Sequence, residues 1–129
     1  MKSNTPLPEG MSEYRLIFFR ESEMVRAIGA FVRMQKKPLP IGTIARMVFD
    51  EADCSMTLHL EPDTGGKVER SFTQSEVAAA LIGYCKDVRI PLPRSGTKEL
   101  RVISNRPAFL IRERGSGRDS DDALVDFRD

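Results

Sequence analysis

The chain has no tryptophan, one histidine, two cysteines and two tyrosines in 129 residues. With His59 alone, no centre built from several histidines is available, and a pairing with Cys54 or Cys85 is the one nucleophile arrangement left to weigh. Cys54 and His59 stand five residues apart on what reads as one strand. Side chains alternate along a strand, so that odd separation puts them on opposite faces. Cys85 falls on the apolar stripe of a helix, where cysteine behaves as a small hydrophobe. Two cysteines without close metal-type spacing make neither a disulfide framework nor a zinc site, which fits a reducing compartment. Apolar runs are short, far below the roughly 20 residues a membrane crossing needs. The start, MKSNTPLPEGMSEY, has a lysine with no apolar stretch behind it, so no secretory signal is expected. A cytoplasmic protein with no membrane partner, no metal and no cofactor is therefore expected.

A phosphate-cradling loop is also missing. The string VFDEAD, Val48 to Asp53, resembles the magnesium-binding element of DEAD-box helicases. That chemistry requires a glycine-rich loop ending in Gly-Lys-Ser/Thr upstream of it, and no such sequence precedes Val48. TGGKVE, from Thr64 to Glu69, lies downstream and has no hydroxyl after its lysine. Asp50 to Asp53 is accordingly read as a solvated acidic turn. With no recognisable catalytic or nucleotide-binding constellation, the expectation is a protein that is not an enzyme.

What the chain does have is a pattern stated twice. SEMVRAIGAFVRMQKKPLP runs from Ser22 to Pro40 and SEVAAALIGYCKDVRIPLP from Ser75 to Pro93, in register at an offset of 53 residues. In the earlier copy Val25, Ile28, Phe31, Val32 and Gln35 recur at helical spacing behind Glu21 and Glu23, and Pro38 ends the run. In the later copy Val77, Ala80, Leu81, Tyr84, Cys85 and Val88 form the stripe, Thr73 and Glu76 are spaced as a capping box, and Pro91 closes it. Strands are expected at Tyr14–Phe19, buried on both faces, at Gly42–Phe49, Cys54–Glu61, Lys67–Phe72 and Thr97–Ser104, and at Ala108–Glu113 after a turn at Asn105 and Arg106. Each half then reads strand, helix, strand, strand, with a slip of a residue or two before the final hairpin. The fold expected is α+β: a tandem β-α-β-β duplication of period 53, with six mainly antiparallel strands and two helices packed on one face. Pro-Leu-Pro gives each helix a hard stop and an extended exit, and Leu39 and Leu92 are read as apolar plugs at these corners.

The expected organisation is a flexible leader (1–13), a single domain (14–114, with units of about 14–61 and 67–114) and a disordered acidic tail (115–129). The tail holds two basic and five acidic residues; taken from the chain's 20 and 19, they leave 18 and 14 in a mildly basic body. Two surfaces are candidates for binding. Ile17, Phe19, Val48, Ile103 and Leu110 lie outside the main apolar register or in strands apolar on both sides, and an apolar surface of this kind calls for a partner. Arg26, Arg33, Lys37, Lys86, Arg89, Arg94, Lys98 and Arg101 form a basic set on the helices and second corner, able to follow phosphates if they make one band. A small interaction or regulatory module, a homodimer through its sheet or a binder of another protein, is the expected function; a nucleic-acid-binding domain is the alternative. The tail, through Leu124, Val125 and Phe127, is expected to shield the basic band, to offer a short motif to a partner, or to remain unattached.

Overall fold

The computed structural model describes residues 10–92 and 97–114. Eight elements follow in order: β1 (Ser12–Phe18), α1 (Glu21–Met34), β2 (Gly42–Phe49), β3 (Met56–Pro62), β4 (Val68–Phe72), α2 (Gln74–Asp87), β5 (Thr97–Ile103) and β6 (Arg106–Arg114). This is the expected α+β class, with every paired strand antiparallel to its neighbour. The strands divide into two three-stranded sheets, ordered β1-β6-β5 and β2-β3-β4. Replacing β1, β2 and β3 by β4, β5 and β6, and the reverse, turns either order into the other. The first strand of each half pairs with the last strand of the opposite half, so neither half has a sheet of its own.

The two helices obey the 53-residue offset residue for residue. The buried set of α1 is Met24, Ala27, Ile28 and Val32, and that of α2 is Val77, Ala80, Leu81 and Cys85. The starts differ chemically. Thr73 accepts from the Glu76 N–H (3.2 Å) while Glu76 Oε1 accepts from the Thr73 N–H (2.9 Å), a full capping box. At α1 the cap position is Arg20, whose guanidinium has no acceptor, so only the reverse half forms, from the Arg20 N–H to Glu23 Oε1 (2.8 Å). The ends are alike. Lys36 and Arg89 sit at φ 61° and 62°, and paired bonds (Lys36 to Arg33 and Lys37 to Val32; Arg89 to Lys86 and Ile90 to Cys85) close both last turns as Schellman motifs. Pro38 and Pro91 follow at once, and Leu39 and Leu92 plug the core edge as expected.

Both helices and the inner faces of both sheets meet in one core. Met56, Leu58 and Leu60 of β3, Met47 and Phe49 of β2, and Phe72 of β4 enter from one sheet; Leu100 and Val102 of β5, with Phe109 and Ile111 of β6, enter from the other. Phe19, just past β1, meets Phe109 edge to face with ring centroids 5.6 Å apart. The sheets are latched where β2 and the β5–β6 turn approach. Asn105 Oδ1 accepts from the Phe49 N–H (2.9 Å) and its Nδ2 donates to the Met47 carbonyl (3.2 Å), so one side chain serves as a partner for the exposed edge of β2. Nearby, Glu51 Oε2 accepts from the Ser104 N–H (3.0 Å) and the Cys54 thiol lies 3.4 Å from the Leu100 carbonyl. At the far end of β2, Gly42 lies so close to Glu61 and Pro62 that a Cβ would collide with their backbone.

Several expected boundaries move. β1 begins at Ser12, inside the expected leader; β3 begins at Met56, so Cys54 is in the connecting loop at φ 60°. The final hairpin turns at Ser104 and Asn105, whose φ values of 53° and 59° suit a type I′ turn, and β6 starts at Arg106, where the turn had been expected. The expected burial of β1 on both faces is corrected: Tyr14, Leu16 and Phe18 are exposed. Residues 1–9 of the expected leader, the tail 115–129 and Arg94 lie outside the described residues.

Candidate interaction surface

The outward faces of the two sheets differ in chemistry. In the β1-β6-β5 sheet, register sets Tyr14 beside Arg112 and Thr97, Leu16 beside Leu110 and Glu99, and Phe18 beside Ala108 and Arg101, with Ile103 opposite Arg106 at the end. Tyr14 is 60% exposed, Leu16 47%, Ile103 41% and Phe18 37%, while Leu110 is half-buried at the centre. The arginines lie over the rings. Arg106 stands 4.6 Å from the Phe18 centroid and Arg112 5.9 Å from that of Tyr14, and Arg101 pairs with Glu99 at 2.9 Å. The outward side of the other sheet carries Thr43, Arg46, Val48, Thr57, His59, Glu61, Glu69 and Ser71, in which Val48 is the one apolar residue. Thr57 and Ser71 share a hydrogen bond there (3.3 Å) and His59 Nδ1 lies 3.2 Å from Glu69.

The five residues of the expected apolar surface are therefore separated. Phe19 is 2% exposed and belongs to the core, and Ile17 points inward against it. Val48 is exposed on the opposite sheet, leaving Ile103 and Leu110 on the β1-β6-β5 face. Tyr14, Leu16 and Phe18, which sequence reasoning missed, complete that face. The run YRLIFF has apolar residues at both parities, and shifting by one residue exchanges its faces. Polarity gives no signal, because Arg15 shares the inward parity with Ile17 while Tyr14 is on the outward one; the usable signal was Phe19, which matches core Phe72 across the 53-residue offset.

The described members of the basic set lie on several elements, and two of them face opposite ways. Arg26 and Arg33 are exposed on α1, Lys37 is exposed just after it, and Lys86 and Arg89 are exposed at the end of α2. Lys98 and Arg101 stand at opposite parity on β5: Arg101 joins the outer face, while Lys98 points to the side of α2, half-buried beside Ser75 and Ala78. The Lys37 carbonyl accepts from Arg70 Nη2 (3.2 Å), tying the first corner to β4.

Other groups with chemical potential are accounted for by structure. Burial pushes the Cys85 thiol up to about 11, helped by the charge of Glu23, and burial likewise raises Cys54. Neither is poised as a thiolate nucleophile. His59 and Cys54 do not meet, since His59 faces outward and Cys54 bonds inward to Leu100. In the acidic turn, Asp50 Oδ1 accepts from the Ala52 and Asp53 N–H groups (2.7 and 3.2 Å), the geometry of a self-bonded Asx turn. A depression of about 450 Å³ beside the start of α1 is bordered by Arg20, Glu21, Asn105 and Arg106, but the Asn105 amide is already committed to β2. Among the described residues there is no group of three or more His, Cys, Asp or Glu side chains placed to hold a metal, and no helix is long and apolar enough to cross a membrane. Compared with protein-family models, curated proteins and solved structures, the chain matches none of them.

Proposed function

We propose that the protein is a small non-enzymatic cytoplasmic interaction module, built on an internal duplication, that self-associates through the outer face of its β1-β6-β5 sheet. One observation carries this reading: the exposed apolar side chains Tyr14, Leu16, Phe18 and Ile103 converge with Leu110 on one sheet face while the outer face of the other sheet is polar. A contiguous apolar centre rimmed by arginine and threonine is the composition of a protein interface, with aromatic residues and arginine enriched and lysine scarce. The test is sedimentation of the full chain across micromolar to millimolar concentration, beside Leu16→Asp. The reading expects a concentration-dependent dimer that the substitution abolishes without unfolding the chain, because Leu16 is exposed. Monomers throughout in the parent chain, or an unaffected dimer in the variant, overturn it.

A second reading, binding of single-stranded nucleic acid, draws on the two aromatic rings and three arginines on the same open face. It ranks lower for a steric reason. Arg106 already stacks on the Phe18 ring face that a base would need, and Glu99 offsets Arg101. Affinity for labelled RNA that falls steeply with salt would reverse the ranking.

A further inference from the structure

We infer that the chain's own C-terminal segment, residues 115–129, docks on the outer face of the β1-β6-β5 sheet and masks it; this rests on the reading of that face as the interaction surface. Five observations select this occupant. The segment continues directly from β6, the middle strand of that sheet, at the end where Arg114 pairs with Ser12. It therefore emerges at the rim of this face. Its 15 residues can reach about 50 Å, whereas a seven-residue strand spans about 23 Å, so the chain can reverse and run the length of the sheet. Gly115, Ser116 and Gly117 open the segment and permit that reversal.

Charge and apolar pattern agree with position. The face presents Arg101, Arg106 and Arg112 against Glu99, and the segment brings Asp119, Asp121, Asp122, Asp126 and Asp129 against Arg118 and Arg128. In an extended chain Val125 and Phe127 fall on one side, facing the apolar row of Leu16, Leu110 and Phe18. The other sheet is a poorer competitor because its outward side sets Glu61 and Glu69 against Arg46, a net negative balance. Tethering makes even a weak contact count, since a short flexible link holds the segment at an effective concentration on the order of millimolar.

The experiment compares the full chain with its Val125→Ser/Phe127→Ser variant, both isotopically labelled and held dilute enough to be monomeric. Docking predicts amide-shift changes at Leu16, Phe18, Ile103 and Leu110, none at Thr57, His59 and Ser71, and heteronuclear relaxation showing residues 121–128 ordered in the parent and mobile in the variant. It also predicts that the variant self-associates more tightly than the parent, because both copies must otherwise release the segment before they can pair. Unchanged shifts on the face with a mobile segment in both chains overturn docking, as do changes confined to the helices or the other sheet. The two readings fail separately. Docking signals without self-association in either chain uphold docking and overturn the dimer, while equal self-association with unchanged shifts does the reverse.

Discussion

At the scale of single residues, Asn105 has the largest structural task for its size. It holds φ 59° in the β5–β6 turn and gives both amide atoms to the edge of β2. Asn105→Ala leaves the Phe49 N–H and Met47 carbonyl without partners and strains the turn; chemical denaturation should show a loss of about 1–3 kcal/mol. Asn105→Gly keeps the turn but not the bonds, so it separates the two contributions. Asp53 makes a pH prediction. Hydrogen bonds from Ser55, the hydroxyl first and the backbone N–H (2.9 Å) second, hold its carboxyl below the ordinary 3.8. This contribution to stability is whole above 3.8 and is lost as pH falls through the lower folded value. In Ser55→Ala, a carboxyl-carbon titration should move Asp53 back toward the ordinary value. Cys85 acts at the other end of the scale: the unfolded thiol ionises near 9.0 and the buried one near 11, so stability is full below the first value and falls as pH rises toward the second. Cys85→Val, which places at this site the type of residue found at Val32, should flatten that alkaline decline in thermal melts.

At the scale of elements, both helices were legible because stripe, first-turn carboxylates and terminal proline all point to the same boundaries. Their matched endings could not be read, since neither Lys36 nor Arg89 is a residue that announces positive φ. A left-handed residue other than glycine costs about 1–2 kcal/mol. Lys36→Gly and Arg89→Gly should each stabilise the protein by about 1 kcal/mol, and the double variant's departure from their sum measures any coupling between the two corners. Urea denaturation of the four chains measures this; no gain at either site would show that the lysine and arginine side chains hold their corners by contacts of their own. The strands were less legible. Gly42–Phe49 was read correctly because glycine opens it and the acidic turn follows. The parity of YRLIFF was not, since both parities are apolar and Arg15 lies on the inward one, leaving the match of Phe19 with core Phe72 as its one sequence cue.

At the scale of the whole molecule, the composition and the repeat led to the α+β class, six antiparallel strands and two helices. The division into two sheets lay beyond them. Strand order depends on which edges meet: β3 and β4 are neighbours joined by the turn at Gly65 and Gly66, but β1 crosses to β6 at the opposite end of the chain, a pairing that no local pattern encodes. This division decides the surface as well. One sheet turns outward a polar side with His59 and Glu69, the other an apolar side with Tyr14, Leu16 and Phe18, so two similar halves give a molecule with one distinctive face. The central claim is that this face meets a second copy, and an amide-shift dilution series on the full chain, from millimolar to micromolar, tests it most directly. The account predicts concentration-dependent shifts at Tyr14, Leu16, Phe18, Ile103 and Leu110, with Thr57, His59 and Ser71 unmoved; shifts centred on the β2-β3-β4 sheet or the helices, or none at any concentration, would contradict it.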